Sequence, residues 1–155
     1  MAEDIAARFD GYSQAWANLA TDGIAGFWAQ ESFHFYKAEE VAAVFTAFDD
    51  LLSYWRGNEG LHEGAELTFT DVQDLGIPGP ARLVSCKMDW KIGFRPDATD
   101  ANGARFRHAG KAMAGWNHVL SLWEEQGGEW CLTGWCEVPD AAPLYLTELY
   151  YRMAQ

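Results

Sequence analysis

The sequence predicts an α+β domain in which helices come first and a curved antiparallel sheet follows. In the first third of the chain, apolar residues recur at steps of three and four, which is the helical period. From about residue 65 onward they alternate every second position, as in half-buried strands. Glycine-rich turns such as "GIPGP" and "EQGGE" separate these strands. Helices packed on one face of such a sheet can form a cone-shaped barrel whose mouth lies between the two layers.

The first helix is predicted over residues 3–20. It is followed by a shorter helix that Thr21 and Asp22 are suited to cap, since both side chains can accept hydrogen bonds from free backbone N–H groups. The longer helix carries a single apolar stripe that should face the sheet. Its members are Ile5, Phe9, Tyr12, Trp16 and Leu19.

The stretch "SFHFY", residues 32–36, predicts a short strand. Alternate side chains of a strand point to opposite faces, so His34 and Tyr36 should share one face while Phe33 and Phe35 share the other. The face with His34 and Tyr36 is expected to line a site.

A third helix is predicted over residues 38–55, where apolar side chains again recur at steps of three and four. Glu39 and Glu40 would then lie in its first turn, where acidic side chains interact favourably with the helix dipole. The polar run "RGNEG" should end the helix.

Four long strands and a closing helix are predicted in the rest of the chain. Gly110 or Gly115 is a plausible position for a bulge in the third of these strands. The closing helix, residues 143–153, should dock through Leu144, Leu149 and Tyr150. The predicted strands are 65–74, 83–94, 105–124 and 130–138.

Length and composition point to a single domain over residues 1–155 with a well-packed core. The chain is 49% hydrophobic and 15% aromatic, with eight Trp, which excludes a disordered segment. No apolar run is long enough to span a membrane, and the acidic start "MAEDIAARF" does not have the pattern of a signal peptide. Cys86, Cys131 and Cys136 form an odd set, so reduced thiols and a cytoplasmic location are expected.

The net charge of −12 argues against nucleic acid and anionic membrane as partners, because both require a cationic surface. Seven of the eleven Lys and Arg residues nevertheless fall within residues 82–111. They could form a solvated strand face, or they could attract an acidic ligand or a neighbouring acidic subunit.

Two segments resemble the nuclear transport factor 2-like superfamily, which includes ketosteroid isomerase, scytalone dehydratase and the SnoaL-like polyketide cyclases. The segment "YSQAWANLATDGIAGFWAQESFHFY", residues 12–36, is similar to the opening helices and first strand of that family. The segment "GWNHVLSLWEEQGGEWCLTGWCEV", residues 115–138, is similar to its final hairpin. The resemblance implies the cone fold, but it does not imply one activity, because the superfamily includes enzymes, ligand carriers and interaction domains.

Comparison with ketosteroid isomerase implies that only part of that catalytic site is present. Tyr12 falls where the family keeps the phenol of its oxyanion hole. The general-base aspartate falls at Tyr36, and the acid that partners the phenol falls near Val119. The steroid isomerase reaction, which requires both carboxyl groups, is therefore not expected.

A pocket of this fold should combine aromatic rings with a few polar groups, and it should take a small apolar or aromatic molecule. Tyr12 would donate a hydrogen bond to a developing oxyanion, and His34 or Glu137 would move the proton. No cofactor is expected, and no metal site, since the sequence lacks a phosphate-binding glycine loop and the usual spacing of zinc ligands. The remaining candidate ligand-binding residues are Trp16, Tyr36, Trp55, Asn117 and Trp135.

Two functions are consistent with these features. The first is a small-molecule binder that could act as a cofactor-free isomerase, dehydratase or cyclase. The second is a non-catalytic interaction domain that forms a homodimer through the outer face of the sheet, with strand 83–94 offering an apolar row. An open cavity containing His34 and a phenol would favour the first function, and a ring-filled cone without a cavity would favour the second.

Overall fold

A computed structural model describes residues 2–140 and 143–154, and its elements follow the predicted order of helices first and long strands second. The short first strand lies between the second and third helices, and a last helix follows the final strand. No helix among the described residues is both long enough and apolar enough to cross a membrane. The elements are α1 (Ala2–Ala17), α2 (Thr21–Ala25), a 3₁₀ turn (Gln30–Ser32), β1 (Phe35–Lys37), α3 (Phe48–Glu59), β2 (His62–Asp74), β3 (Arg82–Phe94), β4 (Ala112–Gln126), β5 (Glu129–Pro139) and α4 (Pro143–Met153).

The five strands form a curved, open sheet in the order β1-β5-β4-β3-β2. The pairs from β2 to β5 are antiparallel, as predicted, but β1 runs parallel to β5, so the sheet is mixed. Its short edge strand fits closely, because the ring of Phe35 lies against Gly134. A Cβ atom at position 134 would come within 2.6 Å of that ring.

Helix α1 packs across β2 and contacts β5, and its apolar stripe provides one side of the core. Ile5, Phe9 and Tyr12 are each at most 2% exposed, as the helical period predicted. The ring centroid of Phe9 lies 4.6 Å from that of Phe69 and 5.1 Å from that of Trp123. These ring contacts hold α1 against the sheet. The helix ends at Ala17, so Leu19 lies beyond it with a φ of 52°.

The third helix begins ten residues later than predicted. Residues 38–47 form turns and a short bridge, in which Tyr36 and Phe45 exchange two backbone hydrogen bonds of 3.0 and 2.9 Å. This bridge competes with a helix for the same backbone groups. The acidic first turn is formed instead by Asp49 and Asp50. Glu39 and Glu40 therefore lie in a turn and not in a helix.

Helix α2 is capped from a distance and not by its own side chains. Ala20 occupies the N-cap position without a side-chain hydrogen bond, and Thr21 is the first helical residue. The backbone N–H of Thr21 donates to Glu59 Oε1 at 2.6 Å. The Glu59 carboxylate at the end of α3 therefore satisfies a free backbone donor at the start of α2. The side chains of Thr21 and Asp22 were predicted to have this capping role.

The predicted strand at residues 32–36 is shorter than expected, and its faces differ from the prediction. The regular strand spans only Phe35–Lys37, and the 3₁₀ turn Gln30–Ser32 lies before it. Tyr36 is 4% exposed and points into the core, whereas the His34 side chain is 50% exposed. His34 therefore does not share the buried face with Tyr36.

A bulge was predicted at Gly110 or Gly115, but the sheet is irregular at other positions. The register of β4 and β5 shifts between Leu122 and Trp123, so that Thr133 is an extra residue on β5. This bulge places Cys131 opposite Glu124 and Cys136 opposite Leu120. Both cysteines consequently belong to the outer face.

Helix α4 spans Pro143–Met153, in agreement with its predicted range. The side chains of Leu149 and Tyr150 are 39% and 63% exposed, so these two predicted docking residues remain largely in solvent. The side chain of Leu144 lies outside the described residues.

Candidate functional site

A cavity of about 410 Å³ lies between the helices and the inner face of the sheet. Strand β3 contributes its inward row to this cavity, because alternate residues of β3 turn away from solvent. The helices α1 and α3, together with the turn after β1, cover the opposite side. The apolar part of the lining includes Ala65, Leu67, Met88, Trp90, Ile92, Phe94, Phe106 and Met113.

Six of the eight candidate residues line this cavity. They come from four separate parts of the chain, namely α1, β1, β4 and β5, which the fold brings to one place. The six are Tyr12, Trp16, Tyr36, Asn117, Trp135 and Glu137.

The other two candidates, His34 and Trp55, lie outside the lining. His34 lies just before β1, and its Nε2 is 3.6 Å from Glu124 Oε1 near the surface. Trp55 is 2% exposed and packs against the rings of Trp16 and Trp28 at 6.0 and 5.9 Å. Trp55 therefore belongs to the core, and His34 does not reach the groups with which it was expected to act.

Glu137 is the polar centre of the cavity. Its Oε1 accepts a hydrogen bond from Trp135 Nε1 at 2.7 Å, and its Oε2 accepts one from Asn117 Nδ2 at 3.1 Å. The Asn117 side chain is held in turn, since its Oδ1 accepts a hydrogen bond from Trp90 Nε1 at 3.3 Å. Trp90, Asn117 and Trp135 thus fix the carboxyl group of Glu137 in one orientation.

Trp90 is positioned by a glycine on the neighbouring strand. Gly115 lies directly opposite Trp90 in the register of β3 and β4. A Cβ atom at position 115 would lie 2.8 Å from Trp90 Cζ2, so only glycine leaves room for this indole. The close approach brings Trp90 Nε1 to Asn117.

The environment makes Glu137 suitable for proton transfer at neutral pH. Burial raises the pKa of Glu137 to about 7, an effect that the negative charges of Glu40 and Glu39 reinforce. Hydrogen bonds from the Trp135 indole and from the backbone of Glu39 lower the pKa and so oppose this shift in part. A carboxyl group that titrates near neutrality can act as either a general acid or a general base.

Three phenols surround the same space. Burial raises the pKa of Tyr12 and of Tyr36 well above the ordinary value, so both hydroxyls remain protonated at neutral pH. The Tyr12 hydroxyl accepts a hydrogen bond from Trp28 Nε1 at 3.4 Å, which leaves its own proton to be donated. Tyr54 donates a hydrogen bond to Glu40.

Sequence reasoning missed the charged side of the cavity. Glu39, Glu40 and His62 also line it, and burial raises the pKa of Glu39 while it lowers the pKa of His62. Glu39 and Glu40 were hidden by their assignment to a helix. Their position directly after the strand with Tyr36 was the available signal.

The prediction that the apolar row of β3 contributes to an outer interface is wrong. Val84, Cys86 and Met88 are at most 5% exposed, and Trp90 faces the cavity, so this row packs inside the cone. The row cannot serve as the apolar part of an outer interface. On the outer face β3 presents its alternating polar residues, including Lys87 and Lys91.

Several basic residues of the segment 82–111 make local contacts. Lys91 pairs with Glu66 at 3.7 Å, Arg82 with Asp74 at 3.4 Å and Arg95 with Asp97 at 3.2 Å. Lys87 lies 3.3 Å from the ring centroid of Trp116. These contacts favour the interpretation of a solvated face over that of an acidic-ligand site.

A carboxyl group is present beside the position where the comparison with ketosteroid isomerase implied its loss. Val119 is directly opposite Glu137 in the register of β4 and β5. Strand β5 therefore supplies a carboxyl group, that of Glu137, directly opposite the position on β4 where the comparison placed the acid. Within the described ranges, 2–140 and 143–154, no group of three His, Cys, Asp or Glu side chains is arranged to hold a metal ion.

Comparison with known proteins identifies the fold. No protein-family model and no curated protein matches this chain. A proposed dehydratase of the NTF2-like family from Streptomyces avermitilis shares 15% identity with a TM-score of 0.71, over 90% of this chain and 97% of its own. A proposed scytalone dehydratase from Novosphingobium aromaticivorans shares 9% identity with a TM-score of 0.71, over 90% of this chain and 83% of its own.

A third solved structure leads to the same conclusion. A nuclear transport factor 2-like superfamily protein from Salmonella enterica serovar Typhimurium shares 8% identity with a TM-score of 0.72, over 92% of both chains. Identities this low show a common fold and do not transfer an activity. The chain has the nuclear transport factor 2-like cone fold.

Proposed function

We propose that this protein binds a small, largely apolar molecule in the cavity and acts on it by cofactor-free acid–base chemistry. The observation that carries the proposal is the carboxyl group of Glu137, which is held between Trp135 and Asn117 and titrates near neutrality. Such chemistry includes isomerisation, dehydration and cyclisation. The similarity in fold to a proposed dehydratase and a proposed scytalone dehydratase supports the same class of reaction.

The roles follow from the protonation states. Above its pKa, Glu137 accepts a proton from a carbon next to a substrate carbonyl group. The negative charge that develops on the carbonyl oxygen requires a donor, and the protonated phenol of Tyr12 supplies one. His34 has no part in this mechanism, because it lies outside the cavity.

Exchange of carbon-bound hydrogen for deuterium tests the proposal without knowledge of the natural substrate. With α-tetralone in D₂O, NMR should show catalysed exchange at the carbon next to the carbonyl group. The rate should rise with pH through about 7, because only ionised Glu137 is a base. Tyr12→Phe should lower the rate by about 100-fold, the usual cost of one oxyanion donor.

His34→Ala is the matched control for this assay, and its rate should equal that of the wild type. An equal rate in Tyr12→Phe would remove the phenol from the mechanism. No exchange above the buffer rate with α-tetralone or with related cyclic ketones would argue for a binder that is not an enzyme.

A second function, that of a homodimerisation domain, is favoured by apolar residues on the outer face of β4 and β5. Trp116 and Leu120 are each 42% exposed and Val138 is 51% exposed. These side chains lie on the face opposite the cavity, so dimerisation would leave the cavity accessible. A second copy of this chain is the proposed partner, since one apolar surface can pair with itself.

Native mass spectrometry tests the dimer. The wild type should be dimeric, and Leu120→Glu should shift it to a monomer, because two carboxylates would be forced into an apolar contact. Lys91→Glu, on the outer face of β3, is the control that changes charge away from this patch. A wild-type monomer at micromolar concentration would exclude the homodimer.

The single-domain organisation and the cytoplasmic location form part of the same proposal. All three cysteines are free thiols, which supports a reducing compartment.

A further inference from the structure

The charged groups that line the cavity are of one sign. Of the described residues in the lining, none is Lys or Arg, whereas Glu39, Glu40 and Glu137 all contribute carboxyl groups. Lys37 is nearby, but its ammonium group donates to the backbone oxygens of Ala38 and Val41. The space enclosed by these carboxylates is therefore electrostatically attractive to a cation and repulsive to an anion.

The walls of the cavity are independently suited to the same class of ligand. Aromatic rings surround it on several sides, among them Trp16, Trp90 and Trp135 together with the phenols of Tyr12 and Tyr36. The negative potential at the face of an aromatic ring attracts ammonium groups, and tryptophan is the strongest of the aromatic residues in this respect. The volume of about 410 Å³ suits a small organic molecule better than a bare ion.

We propose that the cavity selects a small organic cation, in which an ammonium group is carried on an apolar or aromatic body, over neutral molecules of the same shape. The inference rests on the proposed function in one respect only, namely that the cavity binds a ligand. It does not require that the bound molecule reacts.

The pH dependence of such binding has a definite sign. Glu137, with a pKa of about 7, becomes charged as the pH rises, so the cation should bind more tightly above that value. His62 does not oppose this trend, since burial lowers its pKa and it is neutral at pH 7. Burial and Glu40 raise the pKa of Glu39, while Asn117 and Lys37 lower it. The other titratable groups facing the cavity are Glu40 and the phenols of Tyr12, Tyr36 and Tyr54, and the phenols are protonated across this range.

An isosteric pair of probes tests the inference. The (4-hydroxymethylphenyl)trimethylammonium cation and 4-tert-butylbenzyl alcohol have the same shape and differ in one permanent positive charge, and the hydroxyl group of neither ionises in this pH range. Isothermal titration calorimetry at about pH 8 should show the cation binding about tenfold or more tightly than the neutral probe, as expected for a desolvated ammonium group among aromatic rings and carboxylates. The preference should fall at about pH 6, where Glu137 is protonated.

Charge-neutralising variants locate the effect. Glu40→Gln and Glu137→Gln should each reduce the preference for the cation several-fold. Glu66→Gln removes the same charge outside the cavity, where Glu66 pairs with Lys91, and should leave the preference unchanged. An equal loss in Glu66→Gln would mean that the net charge of the protein, and not the cavity, is responsible, and would overturn the inference.

The possible outcomes separate this inference from the proposed function. If 4-tert-butylbenzyl alcohol binds as tightly as the cation, the charge preference is overturned while the small-molecule site stands. If neither probe binds, and a panel of neutral bicyclic ketones does not bind either, the binding function itself fails and the inference fails with it.

Discussion

Replacement of Glu137 by glutamine is expected to lower the rate of carbon–hydrogen exchange by about 10²- to 10⁴-fold, the usual contribution of a positioned general base. The substitution keeps the shape of the side chain and removes the group that accepts the proton. The remaining pH dependence near 7 should vanish at the same time, because Glu137 is the group that titrates there. NMR of α-tetralone in D₂O between about pH 5 and pH 9 measures both effects.

Glu137→Asp provides the matched comparison. It retains a carboxyl group but withdraws it by one methylene group, so the rate should lie between those of the wild type and Glu137→Gln. Circular dichroism and the thermal midpoint check that each variant is folded. A Glu137→Gln protein that is folded and exchanges at the wild-type rate would exclude Glu137 as the base.

Replacement of Phe9 by alanine is expected to destabilise the protein by about 3–5 kcal/mol. Phe9 is 1% exposed, and its ring contacts those of Phe69, Trp123 and Trp135 between α1 and the sheet. Removal of the ring leaves a cavity that these large neighbours cannot fill without moving. Urea denaturation, read by tryptophan fluorescence, gives the free energy of unfolding.

Two further substitutions on α1 serve as controls. Phe9→Leu keeps an apolar side chain at this position and should cost less than the alanine substitution. Asp10→Ala, on the exposed side of the same helix, should change the free energy of unfolding by no more than about 0.5 kcal/mol. A Phe9→Ala protein that unfolds at the wild-type urea concentration would show that α1 is not held to the sheet through this ring.

Hydrophobic periodicity predicted the regular helices and strands well, because the apolar side chains that recur in this pattern are the ones that become buried. The stripe that includes Ile5 and Phe9 is buried as predicted, and β3 alternates between buried and exposed positions over almost its predicted range. The same signal failed over residues 38–47, where apolar spacing suggested a helix. There the exchange of backbone hydrogen bonds between Tyr36 and Phe45, which are nine positions apart in the sequence, produced a turn.

The composition of the candidate site was predicted in part for the same reason. Asn117 and Glu137 have the inward parity of their strands, and Trp135 lies beside them, so these three candidate residues meet in the cavity. His34 was misplaced because the regular strand begins only at Phe35, so the alternation that put His34 beside Tyr36 does not extend to His34. Local spacing holds only while the backbone remains regular.

The sequence by itself therefore determined the fold class, the order of elements and four of the aromatic residues around the cavity, because hydrophobic periodicity and turn residues act locally. Only the tertiary structure decided which polar groups meet there. Glu39 and Glu40 are far from Glu137 in the chain, and all three line one cavity because the turn after β1 lies beside the end of β5. The burial of Glu137 and its repulsion by Glu40 and Glu39, which raise its pKa, exist only once the chain has folded.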